Sequence, residues 1–169
     1  MTSSARRDVV VDSGPLIALF DADDVNHQLV KQWYRGHWFR GCTTLAVITE
    51  VSYSLSYRVE LQLSFLKWVR EGALRIVELT DRDFDRCIGV IEKFSDLPAD
   101  FADATLVAIA DRLAIREVVT LDGDFRIYRY RRRQTFLLPL LDTKQPDSPA
   151  PIAATLRAAG RAAPGEPQR

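Results

Sequence analysis

The chain has 169 residues, 47% hydrophobic and 27% charged, and its 23 basic and 23 acidic side chains give a formal net charge of zero. That length supports one domain with a sizeable core, and no apolar run is long enough to cross a bilayer. A net charge of zero excludes nucleic-acid binding by global attraction, so any such role needs a local basic patch.

In chain order, residues 8–12 (DVVVD) form a short β-branched run that predicts a buried strand. Ser13, Gly14 and Pro15 break it, and Pro15 suits the first turn of a helix reaching about Asp21. A second helix is predicted over about 25–39, with Leu29, Val30, Trp33 and Trp38 as its apolar contacts and Gly41 ending it. Thr43 or Thr44 then caps a helix over LAVITEVSYSLSY. LQLSFLKWVREG forms an amphipathic helix closed by Gly72, and ALRIVEL is the next strand. Thr80 or Asp81 caps a helix over TDRDFDRCIGVIEKF. The loop SDLPAD leads into a helix over FADATLVAIADRLAI. EVVTL returns as a strand with DGDF as its turn, and TFLLPLL is a last strand, placed at an edge by Pro139.

Strands separated by helices imply βαβ crossovers, hence an α/β fold with a mainly parallel central sheet flanked by helices in three layers. It is expected to occupy residues 1–143, followed by a flexible Pro- and Ala-rich tail over 144–169 with one weak helical turn near Ile152–Ala159. The start, MTSSARRDVVVD, lacks the apolar length and cleavage pattern of a secretion signal. Cys42 and Cys87 are isolated packing residues without metal or disulfide spacing. Both features lead to the expectation of a cytoplasmic protein.

The acids are distributed unusually. Asp12 is the only charge between Val9 and Phe20, Glu50 the only one between Gly41 and Tyr57, and Asp103 the only one between Phe101 and Ala110. The strand ending at Leu121 opens directly onto Asp122 and Asp124. Asp12 and Asp122 fall at the C-terminal ends of predicted parallel strands, where open α/β sheets place their sites. Asp103 falls in the first turn of a helix entering from above that edge, where free amides favour a carboxylate. Glu50 is mid-helix, off the Ile48–Val51–Leu55 stripe, and can project toward the same edge. Gathered carboxylates either rise in pKa or share a cation. Oxygen ligands without His or Cys favour Mg²⁺ or Mn²⁺, the usual apparatus of phosphodiester hydrolysis.

Each acid also has an ordinary explanation. Asp12 can cap the helix begun at Pro15, Asp100 and Asp103 have capping-box spacing, Glu50 can pair with a distant arginine, and Asp122 and Asp124 suit a tight turn. Four such explanations in four apolar elements make a heavier assumption than one shared site.

VVVDSGPLIALFD, TTLAVITEVSYSL, DLPADFADATLVAIADRL and EVVTLDGDFRIYR, in that order across residues 8–142, resemble the four acidic motifs of the PIN-domain nucleases. The resemblance is strongest to the VapC toxins of bacterial type II toxin–antitoxin pairs. It implies a PIN-like fold in which Asp12, Glu50, Asp103 and Asp122 form the catalytic, metal-binding quartet. In the same reading Asp124 is an auxiliary or substitute ligand, and Ser13 is a polar member of the site. It further implies a Mg²⁺- (or Mn²⁺-) dependent endoribonuclease acting on tRNA, rRNA or mRNA, a homodimer, and inhibition by a cognate VapB-like antitoxin.

Beyond the acids, Arg126, Arg129, Arg131, Arg132 and Arg133 interleave with Tyr128 and Tyr130, which suggests an RNA-tracking and base-stacking surface. A solvated loop or an antitoxin-docking patch fits the same run. His27 and His37 lack metal-ligand spacing and read as surface or helix-packing residues; Trp33, Trp38 and Trp68 read as core or dimer-interface anchors. A PIN-like module that binds RNA or a partner without cleaving is the alternative function. An aspartyl phosphotransfer enzyme at Asp12 would want a second Asp at position 14, where the chain has Gly14.

Overall fold

A computed structural model of the protein describes residues 7–96 and 99–142. The 144–169 tail, with its expected turn near Ile152–Ala159, lies outside the described residues.

The elements run β1 (Arg7–Val11), α1 (Ser13–Phe20), α2 (His27–Gly36), β2 (Phe39–Thr43), α3 (Leu45–Leu55), α4 (Val59–Arg70), β3 (Leu74–Ile76), α5 (Asp81–Lys93), α6 (Phe101–Leu113), β4 (Val118–Val119), a 3-10 turn (Gly123–Arg126) and α7 (Pro139–Asp142). All ladders are parallel, in the order β3-β2-β1-β4. Right-handed crossovers place α1–α4 on one face and α5–α6 on the other. Most of the packing follows that division, α1 meeting α2, α3 and α4 and α5 lying along α6, while α3 touches α6 across it. The expected parallel α/β sheet flanked by helices is the fold observed.

From β1 the chain proceeds to β2 and β3 on one side and returns to β4 on the other. β1 and β4 therefore flank a switch point, where the connections leave in opposite directions and open a crevice at the strands' C-terminal ends. Asp12 immediately follows β1, and Asp122 follows β4 by three residues. The core beneath is Val9, Val10 and Val11 with Val118 and Val119, covered by Leu16, Leu106 and Ile109.

Two expectations need correction. The helix predicted over 25–39 ends at Gly36, and FRGCT is strand β2, with Gly41 inside it. A Cβ at Gly41 would stand 2.6 Å from Leu74 Cδ2 and 3.2 Å from Val11 Cγ2, so the glycine is where three strands crowd. Trp38, counted with that helix, is exposed. TFLLPLL is not a full strand: Leu137 makes a single bridge to Glu117, and Pro139 opens α7. Proline has no N–H for a second ladder rung but fits a helix start.

Candidate active site

The crevice is built from the ends of β1 and β4 and the start of α6. Asp12 is the N-cap of α1, its Oδ1 accepting from the Ser13 amide at 2.6 Å, with the Ser13 hydroxyl at 3.4 Å. Its Oδ2 accepts from the Thr120 hydroxyl at 2.7 Å, and the same hydroxyl oxygen accepts from the Asp122 amide at 2.9 Å. The Asp12 amide donates to the Val119 carbonyl at 3.0 Å. Thr120, fully buried, thus fastens the end of one strand to the acid following its neighbour.

Asp103 occupies the third position of α6. Asp100 caps that helix, its Oδ1 accepting from the Asp103 amide at 2.9 Å, which leaves the Asp103 carboxyl to face inward and accept from the Tyr128 hydroxyl at 3.2 Å. Tyr128 is itself buried, edge-on to Phe94 and Phe125. Asp122 caps the 3-10 turn, its Oδ1 accepting from the Asp124 amide at 2.9 Å. The capping explanations of Asp12, Asp100 and Asp122 are therefore all realised, yet they do not account for the inward carboxyls of Asp12 and Asp103.

Electrostatics separates those two from an ordinary buried acid. Burial raises the pKa of Asp12, against the Thr120 and Ser13 hydrogen bonds, with Asp122 and Asp100 raising it further. Burial raises Asp103 as well, followed by the charges of Asp12, Asp100 and Asp122, and the Tyr128 hydrogen bond offsets only part of this. Asp83 gives the contrast. Burial pushes it up too, but hydrogen bonds from Thr80 and Arg112, including Arg112 Nε at 2.9 Å, leave it below the usual carboxylate range. Among the described residues no lysine or arginine forms an ion pair with Asp12 or Asp103. Two buried acids that repel each other without a base are a destabilised arrangement that a cation relieves.

Asp12, Asp100, Asp103 and Asp122 thus share one electrostatic cluster, and Asp124 acts on its edge through Tyr128. Glu50 lies half-buried midway along α3, a helix packed on both α1 and α6. Among the described residues, no three His, Cys, Asp or Glu side chains are arranged to hold a metal ion as they stand. The donor chemistry nonetheless fits a hard divalent cation, because the crevice offers carboxylates and hydroxyls and neither histidine nor thiol.

The arginine run is placed less simply than its sequence suggests. Arg126 donates to Asp142 at 3.4 Å and to the Leu141 carbonyl at 3.3 Å. Arg129 Nη1 donates to the carbonyls of Arg126, Ile127 and Tyr128, an internal clamp. Arg131 lies over the Tyr130 ring, and its amide donates to Asp111. Tyr128 and Tyr130 are buried, so the expected base-stacking surface is not formed by these rings. The histidines do pack helices: Nδ1 of His27 bonds the Ala18 carbonyl, and Nδ1 of His37 the Trp33 carbonyl. Trp33 is core, while Trp68 is half-buried against Phe20. Cys42 and Cys87 are free and buried.

The residue missed by sequence reasoning is Thr120, whose only sequence signal is a lone hydroxyl between Val119 and Leu121 where the strand meets the acidic turn.

Fold and site together define a parallel α/β protein with a carboxylate crevice at its topological switch point. The chain belongs to the PIN domain family, whose profile matches residues 9–130. It is similar to Ribonuclease VapC26 of Mycobacterium tuberculosis, 26% identical over 116 residues, which cover 68% of this chain and 86% of that protein. Its fold resembles the crystal structure of M. tuberculosis VapC20, a toxin that cleaves the sarcin-ricin loop, with a TM-score of 0.63 at 20% identity over 69% of this chain and 91% of that one. It also resembles a chain of a toxin–antitoxin complex from Klebsiella pneumoniae, with a TM-score of 0.54 at 19% identity over 69% and 89% of the two chains. Among the described residues no helix is long and apolar enough to cross a membrane.

Proposed function

We propose that this protein is a Mg²⁺- (or Mn²⁺-) dependent endoribonuclease and the toxin of a VapBC-like pair, working in the cytoplasm as a homodimer restrained by a VapB-like antitoxin. The observation that carries the reading is the pair of buried carboxyls of Asp12 and Asp103 at the switch-point crevice, each raised by burial and neighbouring acids and, among the described residues, ion-paired with no base. The similarity to a named ribonuclease and to a chain of a toxin–antitoxin complex supports it.

In this reading Asp12 and Asp103 are the central ligands, with Glu50, Asp122 and Asp124 completing the shell directly or through water. The ion, when bound, supplies an activated water and offsets charge on the phosphate undergoing attack. The chain's own residues position the groups. Thr120 and the Ser13 amide hold the Asp12 carboxyl to one rotamer, and Tyr128 holds Asp103, so the acids meet the incoming charge without reorganisation. Asp122 is favoured over Asp124 as the fourth acid because its charge bears on both Asp12 and Asp103.

Purified protein incubated with total RNA tests this. Cleavage requiring Mg²⁺, abolished by excess EDTA and reduced at least ~10³-fold by Asp12→Asn or Asp103→Asn, is expected for ligands of an essential ion. Cleavage that survives EDTA or Asp12→Asn would overturn it. RNA binding without any cleavage would instead favour the non-cleaving module.

A further inference from the structure

Tyr128, whose hydroxyl holds Asp103 in the acid crevice, also lines a cavity of about 320 Å³ that no role above uses. Arg86, Gly89 and Lys93 of α5 form one wall, and Tyr128, Arg129 and Arg132 of the following loop form the other. Four cationic side chains and one carboxylate, Asp85, line it. In a chain of zero net charge this is the local basic concentration that contact with a polyanion requires.

The cavity is also built rather than merely enclosed. Arg86 is fixed by Asp111 at 2.7 Å and by the Arg129 carbonyl at 2.9 Å. Arg129 is fixed by three backbone carbonyls, which hold its guanidinium in place without cancelling its charge. Arg131 and Arg132 both adopt left-handed backbone, φ 45° and 66°, a conformation disfavoured for residues with a Cβ. The α5 wall is open at Gly89, where nothing lies within 4 Å of where a Cβ would be. Tyr128 is shared: its ring lines the cavity while its hydroxyl holds Asp103.

We propose that this cavity binds a phosphate group of the RNA strand, at a nucleotide beside the one being cut, and so sets the strand's register across the acids. The proposal rests on the ribonuclease reading and refines the arginine run within it. Lys93 and Arg132 meet the phosphate, Arg129 and the Asp111-paired Arg86 border it, and Arg126 and Arg131 serve the loop itself. A cavity of this size admits a phosphate with its ribose, not a folded RNA element.

The test uses the full chain carrying Asp12→Asn, with a fluorescein-labelled single-stranded RNA decamer read by anisotropy across a salt series. Lys93→Ala and Arg132→Ala are each expected to weaken binding 3- to 10-fold. Each should also reduce the slope of log affinity against log salt by about 0.7, the value for one lost phosphate contact on a single strand. Gly89→Met, which fills the cavity without changing charge, should weaken binding to a similar extent. Arg70→Ala, at the end of α4 and the opposite edge of the sheet, should not. Unchanged melting temperatures establish that the variants are folded.

Equal affinity and slope in all three cavity variants would overturn the proposal and leave the ribonuclease reading standing, whereas no RNA binding by the Asp12→Asn parent would overturn both. Uridine monophosphate and inorganic phosphate separate the sources of phosphate. Binding of either as tightly as the decamer, lost in the cavity variants, would make this a small-anion site and overturn the strand assignment. RNA affinity unchanged while an acidic antitoxin peptide binds less tightly would overturn it in favour of protein docking.

Discussion

Asp83 and Asp103 are both buried carboxyls near helix N-termini, and they differ in what faces them. Asp83 has Thr80 and Arg112 and sits below its usual range; Asp103 has other acids and sits above it. The consequence for stability follows from proton linkage. An acid raised in the folded state binds its proton more tightly there than in the unfolded chain, so folding is favoured at low pH. That advantage disappears as pH rises from about 4, the free carboxylate value, through the raised folded value. The metal-free protein should therefore lose stability from about pH 4, through the raised Asp12 value of about 6, to the raised Asp103 value of about 9, apart from other titrations, and Asp103→Asn should flatten that loss. The same substitution should raise the metal-free melting temperature at pH 8 by several degrees, on the order of 1–3 kcal/mol, as calorimetry in EDTA would show. A lower melting temperature would mean that Asp103 is held by structural partners and is not a strained ligand. Thr120→Val leaves the Asp122 amide and one Asp12 oxygen without partners. It should cost about 1–3 kcal/mol in stability and lower cleavage further than that loss explains, read as kcat at saturating RNA.

Elements carry the site by where they end. α5 begins with a full capping box, the Thr80 side chain accepting from the Asp83 amide while Asp83 accepts from the Thr80 amide. Thr80→Ala should cost about 1 kcal/mol in urea unfolding, with the slope unchanged. At β2, Gly41→Ala should cost about 1–3 kcal/mol in the same measurement, since Leu74 and Val11 must move to admit a methyl group. These two elements also mark the limits of sequence reading. The α5 cap was legible because Thr80 and Asp83 interact within one turn. β2 was not, because FRGCT carries Arg40 and Gly41, both poor strand signals, and its reason for being a strand is the proximity of β1 and β3, far apart in sequence. TFLLPLL failed in the opposite direction, apolar enough for a strand but stopped by Pro139 after one bridge.

For the whole molecule, the acid crevice is a place of low intrinsic stability that a bound cation should repair. Millimolar Mg²⁺ should raise the wild-type melting temperature, by an amount growing with the logarithm of concentration above the dissociation constant. The shift should vanish in Asp12→Asn and Asp103→Asn; equal shifts in wild type and variants would argue against these acids as the ion's site.

The sequence by itself determined that lone acids sit in apolar elements, that strands alternate with helices, and that Asp12, Asp103 and Asp122 fall near an element's end while Glu50 falls mid-helix. Those are properties of spacing, burial tendency and capping, which act within a turn or a strand. Only the tertiary structure decided that Asp12 and Asp103 share one acidic cluster in which, among the described residues, neither has an ion-paired base, that Thr120 binds Asp12 to the start of Asp122, and that the arginines divide between loop and cavity. Those outcomes depend on the order of strands around a switch point and on which side chains share a crevice, neither of which is written in any local stretch of chain.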